Sequence, residues 1–259
     1  MTFVSVIIPA HEMNSIFESV LLHLQPTIQT YSDYEVIVVS DNCPQVVQYV
    51  ETNYPAYKIA NTHYEGHGIA QARNLGTTLA NPESDLYLWL DSDCLPPADH
   101  IEKFASAYIP NCLFVGAIYY MADDMQTILR PEIRNIYHLP RPERFERIYD
   151  ITHWYQYWTG NAGVCAKSFH QFNEELVGGE DTYFALTHLE THNQLKYVFS
   201  AVRHKGLTDT MKTEQPNYQQ QYDKSKYHSL VEKFFQNHPD IKIICDEAEK
   251  KGVGRLIGW

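Results

Sequence analysis

Leu86 to Leu90 form a run of bulky apolar residues that ends at the acidic sequence Asp91-Ser92-Asp93. A short apolar run between polar residues is typical of a strand buried in an α/β sheet, and such sheets bind ligands beyond the carboxyl ends of their strands. Residues two apart on a strand face the same way, so both carboxylates can converge on one point. Their oxygens suit Mg²⁺ or Mn²⁺. The same residues would also make an ordinary polar turn, so other parts of the chain must separate the two interpretations.

Strands and helices are predicted to alternate through the first half of the chain, which indicates an α/β fold with a Rossmann-like, mostly parallel central sheet flanked by helices. The ligand edge of this sheet would carry Pro9 to Glu12, Asp41, and Asp91 to Asp93. The predicted strands are Phe3–Pro9, Tyr34–Ser40, Tyr57–Thr62 and Leu86–Leu90, and the predicted helices begin at Ser15, Gln45, Ile69 and Pro96.

Local signals set the expected boundaries of several elements. Ser15 and Glu18 have the spacing of a capping box, and Pro26 is expected to kink or shorten the helix that they open. Pro9 is expected to stop the first strand. In the second half, strands are predicted at Leu113–Met121, Gly160–Ala166 and Leu195–Ser200, helices at Glu180–His192 and Asn217–His238, and a loop at Val202–Gly206.

Composition restricts the partners and the compartment. The 20 Lys and Arg against 32 Asp and Glu give a net charge of −12, which argues against nucleic acid as a partner. A divalent cation between carboxylates and a diphosphate would reconcile this acidity with a nucleotide ligand. The five cysteines are scattered and contain no CxxC, which predicts a reduced compartment and neither a zinc site nor a disulfide framework. No segment resembles a signal peptide or a membrane span, so the sequence predicts a cytoplasmic protein.

An ordered set of motifs covers the region from Val4 to Gly206. The motifs are VSVIIPAHE, VIVVSDN, GIAQARNLG, LDSDC and FNEELVGGEDTYFA. In this order and spacing the chain resembles the family 2 glycosyltransferases of the GT-A fold. One departure is His11, where the family usually has Tyr or Phe, and it bears on how a base would stack there. The resemblance implies an enzyme that uses a nucleotide sugar, with Mn²⁺ or Mg²⁺ as cofactor.

The resemblance also implies a set of residues that bind the donor. Asp41 would accept a hydrogen bond from the uracil or hold the ribose. Arg73 would reach the diphosphate or lock the two Asp-bearing loops. The remaining members are the uridine cradle of Pro9, Ala10, His11 and Glu12, and the strand end with Asp91, Ser92 and Asp93.

The implied metal site combines carboxylates with an imidazole. Asp93 would bind the ion directly, while Asp91 would meet the ribose or a metal-bound water. His204, in VRHKG, would be the third metal ligand, because a neutral imidazole can complete a site that two carboxylates leave open. A structural or solvated histidine is the alternative at this position.

The catalytic carboxylate is expected in the late Glu-Asp pair. An inverting transfer must remove the proton of an acceptor hydroxyl while its oxygen attacks the anomeric carbon. The resemblance implies that Asp181 is this base and that Glu180 orients it or the acceptor. Acidic residues at a helix start also suit the macrodipole, which is the alternative interpretation. Trp158 and Asn161 are expected to line the acceptor or donor sugar, although core packing would equally explain an aromatic cluster there.

The sequence therefore predicts a GT-A domain over 1–215, divided into a nucleotide-sugar half (1–121) and an acceptor half (122–215), with a helical extension (216–259) packed on it. The expected function is metal-assisted, inverting transfer from a UDP-sugar to the hydroxyl of a carbohydrate or other acceptor. A non-catalytic sugar-binding relic of the fold and a sugar nucleotidyltransferase are the alternatives, but PAHEMNS lacks the basic, glycine-rich loop of the latter. A lipid acceptor would require a peripheral membrane contact.

Overall fold

The computed structural model of the chain describes residues 1–62, 68–122, 126–132, 148–150, 157–188, 194–205 and 224–250. Its strands are β1 (Val4–Ala10), β2 (Tyr34–Ser40), β3 (Lys58–Asn61), β4 (Leu86–Leu90), β5 (Cys94–Leu95), β6 (Cys112–Met121), β7 (Ile128–Glu132), β8 (Ile148–Asp150), β9 (Asn161–Cys165) and β10 (Gln194–Lys205). Its helices are α1 (Ser15–Thr30), α2 (Pro44–Asn53), α3 (Ile69–Leu79), α4 (His100–Ala107), α5 (Glu180–Thr187), α6 (Lys224–Asn237) and α7 (Pro239–Lys250).

These strands form one sheet with the order β3-β2-β1-β4-β9-β6-β10-β5, with β7 beside β6 and β8 beside β10. The strands β3, β2, β1 and β4 are parallel, as the alternation of strands and helices predicted. Strand β9 runs antiparallel between β4 and β6, and β10 is parallel to β6 but antiparallel to β5. The second half of the chain therefore turns a parallel sheet into a mixed one.

Apolar side chains cover both faces of the sheet, because successive strand residues point to opposite sides. Val6 and Ile8 of β1 belong to a core with Phe17 of α1 and Phe104 of α4. Ile7, between them, belongs to the core on the other face, which includes Phe184 of α5. Helices α3 and α5 therefore share the second face, and both of them begin near the ligand edge.

Several boundaries differ from the predictions, among them three in β1 and α1. The N-cap of α1 is Asn14, whose Oδ1 accepts from the backbone N–H groups of Ile16 and Phe17, so the predicted capping box at Ser15 is wrong by one residue. Helix α1 continues through Pro26 to Thr30, because Leu24 and Thr27 are packed on either side of the proline. Strand β1 likewise continues through Pro9 to Ala10.

The predicted loop at Val202–Gly206 is wrong over the residues described, because β10 extends to Lys205. Backbone pairing with two neighbouring strands extends it: His204 pairs with Tyr120 of β6 and with Cys94 of β5. Both partners are distant in sequence, so the local pattern did not contain this information.

Helices α6 and α7 pack on the second face of the sheet. The predicted domain boundary at 215 lies outside the described residues, as does most of 122–158. No helix in the part of the chain described here is long and apolar enough to cross a membrane. The two helices contribute Tyr227, Val231, Phe234, Phe235, Ile241 and Cys245 to the core that contains Phe184.

Candidate active site

Three parallel strands end together at the predicted ligand edge. Strand β1 ends at Ala10, β2 at Ser40 and β4 at Leu90, and Ala10 lies directly beside Ser40. The backbone N–H of Asp41 donates to the carbonyl of Ala10 at 2.8 Å. The turns after these strands are thereby brought to one corner of the sheet.

The segment Pro9 to Glu12, predicted as a uridine cradle, divides into two parts. Pro9 and Ala10 are buried in the end of β1, while His11 and Glu12 are exposed beyond it. A ligand at this corner would meet the side chains of His11 and Glu12, with the β1 terminus as its floor.

Asp41 connects the loops around this corner. It is only 7% exposed, and its two carboxylate oxygens accept from the backbone N–H of Gly68 at 2.8 Å and from the hydroxyl of Thr62 at 3.0 Å. Asp41 therefore ties the end of β3 to the start of α3. Each carboxylate oxygen has a further lone pair, so this role leaves acceptor capacity for a ligand.

Arg73 is a buried cation that joins the two acidic motifs. It lies in α3 and is 1% exposed. Its Nη2 donates to Asp91 Oδ1 at 3.0 Å and its Nη1 donates to Glu180 Oε1 at 2.9 Å. The guanidinium also lies 5.5 Å from the ring centroid of Phe172. These contacts lock the end of β4 to the start of α5.

The charged groups at this junction shift one another's pKa. Burial opposes the charge of Arg73, but Asp91, Glu180 and Asp181 outweigh that penalty and raise its pKa. Burial raises the pKa of Asp91, an effect that Asp93 reinforces and Arg73 opposes. Among the described residues, carboxylates at this junction outnumber the cationic side chains that face them, which suits the binding of a cation.

Asp93 and His204 form a second, more open contact. His204 Nε2 lies 3.1 Å from Asp93 Oδ2, and the Asp93 side chain is 47% exposed. Burial opposes ionisation of Asp93, but the hydrogen bond and charge of His204 outweigh it and lower the pKa of this carboxyl. Cys94 completes a group whose three donor atoms all lie within 4.8 Å of one another. Burial, together with Asp93 and Asp91, raises the pKa of the Cys94 thiol well above its usual value.

Pairing of β5 with β10 explains why His204 meets this acidic turn. The backbone of His204 pairs with that of Cys94, so the residue that follows Asp93 lies directly across from the histidine. The imidazole lies between aromatic side chains, with the ring centroid of Tyr120 at 5.3 Å and that of Trp158 at 5.9 Å. The His204 ring is thus held on the same edge as Asp93.

The Glu-Asp pair opens α5 after two glycines. Gly178 and Gly179 have φ values of 82° and 73°, a left-handed conformation that side chains with a Cβ rarely adopt. Glu180 is buried against Arg73, whereas Asp181 is partly exposed and its Oδ1 accepts from the backbone N–H of Thr182 at 2.7 Å. Of the two carboxylates, Asp181 is the more accessible.

Trp158 and Asn161, predicted as an acceptor wall, have different positions. Trp158 is partly exposed beside His204, and Gly160 leaves the space that its indole occupies. Asn161 is fully buried, and its Nδ2 donates to the carbonyls of Ala117 at 2.8 Å and Ser200 at 2.7 Å. In this arrangement the Asn161 side chain bridges β6 and β10 and does not face an acceptor.

Sequence reasoning did not assign a role to Cys94, Tyr120 or Thr62. Cys94 stands inside the motif LDSDC, so its position was visible although its orientation was not. Tyr120 and Thr62 enter the site through strand pairing and through a hydrogen bond to Asp41. No local pattern in the sequence marks either of them.

The donor set fits a divalent cation. Asp93 supplies a carboxylate and His204 an imidazole, and both remain accessible to solvent. Asp91 is outside the group of neighbouring donor atoms, and one of its oxygens is engaged by Arg73. The two carboxylates of the motif therefore occupy different environments, although the spacing alone made them equivalent.

Comparison with known proteins gives a match to one family model, described as Glycosyl transferase family 2, over residues 5–173. A comparison with curated protein sequences gives no match.

Several solved structures are similar to the chain. S. aureus TarS 1–349 in complex with UDP-GlcNAc superposes with a TM-score of 0.60 at 16% identity, covering 82% of this chain and 61% of that one. Mannosyltransferase PcManGT from Pyrobaculum calidifontis, in complex with GDP-Man and Mn²⁺, gives 0.55 at 17% identity, covering 82% and 59%. GalNAc-T7 with UDP, GalNAc and Mn²⁺ gives 0.56 at 14% identity, covering 90% and 54%. The chain thus spans less than two thirds of each of these proteins.

Proposed function

The chain belongs to glycosyl transferase family 2 and has the GT-A fold, and from this premise we propose that it is an inverting glycosyltransferase. It transfers a sugar from a nucleotide sugar, in the first instance a UDP-sugar, to the hydroxyl of a carbohydrate or other acceptor. The activity uses Mn²⁺ or Mg²⁺ and a carboxylate base.

The observation that carries this proposal is the bridge made by Arg73. Asp91 and Glu180 are far apart in sequence, yet one buried guanidinium contacts both at 3.0 and 2.9 Å. Such a bridge holds a candidate catalytic base at a fixed distance from the strand end that would bind the donor. Fixed positioning of reacting groups accounts for a large part of enzymatic rate enhancement.

Asp181 is the better candidate for the base. A base needs access to the acceptor and a carboxylate that is available to accept a proton. Glu180 is buried in an ion pair with Arg73, while Asp181 is the partly exposed neighbour. In our proposal Asp181 takes the acceptor proton, and Glu180 and Arg73 position the start of α5.

Asp93 and His204 would hold the divalent cation. When bound there, the cation supplies Lewis-acid neutralisation of the charge on the departing diphosphate. The acidic surplus around Asp91 and Asp93 disfavours a diphosphate without a counterion, so this region of the chain is suited to a metal-dependent donor. Asp91, held by Arg73, would be left to contact the ribose.

The nucleoside would lie at the corner made by β1 and β2. Asp41 has remaining acceptor capacity there, and His11 and Glu12 are exposed beside it. The structural relatives include complexes with UDP-GlcNAc, with UDP and with GDP-Man. Because UDP and GDP both occur in these complexes, the choice of UDP over GDP is the part of the proposal to test first.

A donor panel tests this function and separates it from the alternatives. Purified protein is incubated with Mn²⁺ and a set of UDP- and GDP-sugars, and release of the nucleoside diphosphate is measured. We expect release with at least one UDP-sugar and its loss when the metal is chelated. Binding without turnover for every donor would instead support a non-catalytic relic, and release of pyrophosphate from a nucleoside triphosphate would support a nucleotidyltransferase.

Two variants sharpen the same assay. Asp93→Ala should abolish most of the release even at saturating Mn²⁺, because it removes the proposed metal ligand. Asp99→Ala is the matched control, since the Asp99 side chain is 46% exposed, like that of Asp93, and among the contacts described it pairs with Lys103 at 2.9 Å. Near wild-type release by Asp93→Ala would contradict the metal assignment.

A further inference from the structure

Cys94 lies beside the proposed catalytic metal ligands. Residues directly opposite each other on antiparallel strands project to the same face of a sheet, and Cys94 of β5 is directly opposite His204 of β10. The pairing of β5 with β10 therefore places the Cys94 thiol next to the His204 imidazole. Asp93, one residue before Cys94, turns its carboxylate into the same space, with Oδ2 3.1 Å from His204 Nε2 and Oδ1 3.5 Å from Cys94 Sγ.

The distances among these donors suit a tetrahedral metal. Zinc binds sulfur at about 2.3 Å and nitrogen or oxygen at about 2.0–2.2 Å, so ligand atoms around it lie roughly 3.5 Å apart. The donor atoms of Asp93, Cys94 and His204 all lie within 4.8 Å of one another, and Asp93 Oδ2 and His204 Nε2 are already 3.1 Å apart. Small side-chain adjustments would complete the arrangement.

The chemistry of the set favours zinc over the ions expected for the transfer reaction. Thiolate and imidazole are preferred ligands of Zn²⁺, whereas Mg²⁺ and Mn²⁺ prefer oxygen. A bound cation deprotonates a coordinating thiol, so a neutral cysteine at this position can become a ligand. Cys94 is fully buried and forms the floor of the site, while the Asp93 side chain is 47% exposed and leaves a path for the ion.

We propose that Asp93, Cys94 and His204 bind Zn²⁺ through a carboxylate, a thiolate and an imidazole, and that zinc bound there competes with the Mn²⁺ or Mg²⁺ of the transfer reaction. Zinc in proteins is usually four-coordinate, so three protein ligands leave one open position. An ion held by three protein ligands therefore keeps fewer positions for a diphosphate than an ion held by Asp93 and His204 alone. Zinc is therefore an inhibitor in this account. The scattered spacing of the cysteines predicted no zinc site. The spacing could not indicate this one, because its other two donors are Asp93 and His204 of the distant strand β10.

The zinc site itself depends only on the positions of the Asp93, Cys94 and His204 side chains, whereas its inhibitory effect rests on the proposed function. Metal-free protein is titrated with Zn²⁺ and separately with Mn²⁺, and the affinities are measured by calorimetry for wild type, Cys94→Ser and Cys112→Ser. Cys112 is the matched control, since it is also fully buried but lies in β6 with its thiol directed at backbone carbonyls. We expect Cys94→Ser to weaken Zn²⁺ binding at least about tenfold and to leave Mn²⁺ affinity within about twofold.

Cobalt provides a readout that does not depend on a variant. Co²⁺ bound to wild type should show a sulfur-to-cobalt charge-transfer band, which Cys112→Ser retains and Cys94→Ser loses. If Cys94→Ser fails to fold, the wild-type spectrum decides, and absence of the band overturns the site. Equal Zn²⁺ affinity of folded Cys94→Ser and wild type would also overturn it.

Activity separates the two proposals. Zinc binding with the sulfur band, in a protein that turns over no donor, would retain the zinc site and refute the proposed transferase. Turnover that Zn²⁺ does not inhibit, in a protein that lacks the sulfur band, would retain the proposed transferase and refute the zinc site. If both proposals hold, the Zn²⁺ concentration for half inhibition should be at least about tenfold higher in Cys94→Ser than in wild type.

Discussion

At the scale of single residues, Arg73 connects the stability of the fold to the geometry of the candidate site. Its guanidinium is desolvated and faces carboxylates on two other elements, so its removal would leave Asp91 and Glu180 buried without their cation. A buried charge without a partner is far more costly than an exposed one. The arginine is therefore important for stability as well as for the position of α5.

Replacement of Arg73 by methionine should destabilise the protein by about 3–5 kcal/mol, the usual cost of removing one partner of a buried ion pair. Arg73→Lys should retain the charge but lose turnover, because an ammonium cannot reproduce the fork that contacts both carboxylates. Urea unfolding and the donor assay measure the two effects. Lys242→Met is the control: the solvent-accessible i,i+4 pair of Lys242 and Asp246 in α7 should contribute less than about 1 kcal/mol. A loss below about 1 kcal/mol for Arg73→Met would contradict this account.

The sequence could predict those parts of the candidate site whose residues lie together in one short motif. Asp91 and Asp93 follow an apolar strand, and Asp181 follows two glycines, so each motif marks its own position. Their spatial relation was not local, because it depends on a buried arginine in a third element. At Asn161 the local pattern was misleading. A polar residue after an aromatic cluster suggested a sugar-binding side chain, but its amide donates to the backbone carbonyls of Ala117 and Ser200.

At the scale of elements, the irregularity of β10 organises the centre of the sheet. The pairing of β10 with β6 shifts between Val198 and Ala201, where the carbonyl of Ser200 turns to Asn161. The hydroxyl of Ser200 lies 2.8 Å from Nδ1 of His100, the first residue of α4. This histidine is fully buried, so α4 is anchored on the bulge through a neutral imidazole.

Burial lowers the pKa of His100 to about 3. In the unfolded chain this imidazole takes up a proton near pH 6.5, so between pH 6.5 and about 3 the unfolded state binds more protons and stability falls as the pH falls. The lost free energy of unfolding approaches about 1.4 kcal/mol per pH unit, or about 2 kcal/mol between pH 7 and pH 5. Urea unfolding at both pH values measures it.

His100→Gln provides the comparison for this pH dependence. The variant should be less stable at pH 7 but should lose about 2 kcal/mol less than wild type on acidification to pH 5. The same loss in both proteins would show that other groups determine the acid sensitivity.

The parallel half of the sheet was predictable because each strand and helix there has its own periodicity. The strand Leu86–Leu90 has the predicted bounds, and the helix Ile69–Leu79 begins at the predicted residue. The rest depended on pairing between distant segments: β9 inserts between β4 and β6, and β5 extends β10 beyond its predicted end. Helix α7 was not predicted, because its short amphipathic pattern follows a proline and merges with a polar tail.

At the scale of the whole molecule, the C-terminal helices share a core with α5, the helix that carries Asp181. Tyr227 of α6 is buried, and its hydroxyl lies 3.2 Å from Thr182 Oγ1 in the first turn of α5. Phe234, Phe235 and Ile241 pack in the same core as Trp89 of β4. The helix that presents Asp181 is therefore supported from behind by α6.

Tyr227→Ala should destabilise the protein by about 3–5 kcal/mol and reduce turnover, because it opens a cavity behind α5. Tyr227→Phe is the matched control and should cost only about 1 kcal/mol, the value of one hydrogen bond. Urea unfolding followed by circular dichroism should show a single transition in each protein. A separate early transition of the C-terminal helices, with the rest of the fold intact, would mean that they are an independent extension.

The most direct measurement of the central claim is the turnover number of Asp181→Asn, determined with the best donor and compared with wild type and Glu180→Gln. General base catalysis contributes about 10²–10⁴-fold, so kcat should fall by at least about 100-fold. The dissociation constant for the nucleotide should stay within about threefold, because only a transition-state interaction is removed. A kcat for Asp181→Asn within about threefold of wild type, in a folded variant that still binds the nucleotide, would contradict the assignment of Asp181 as the base.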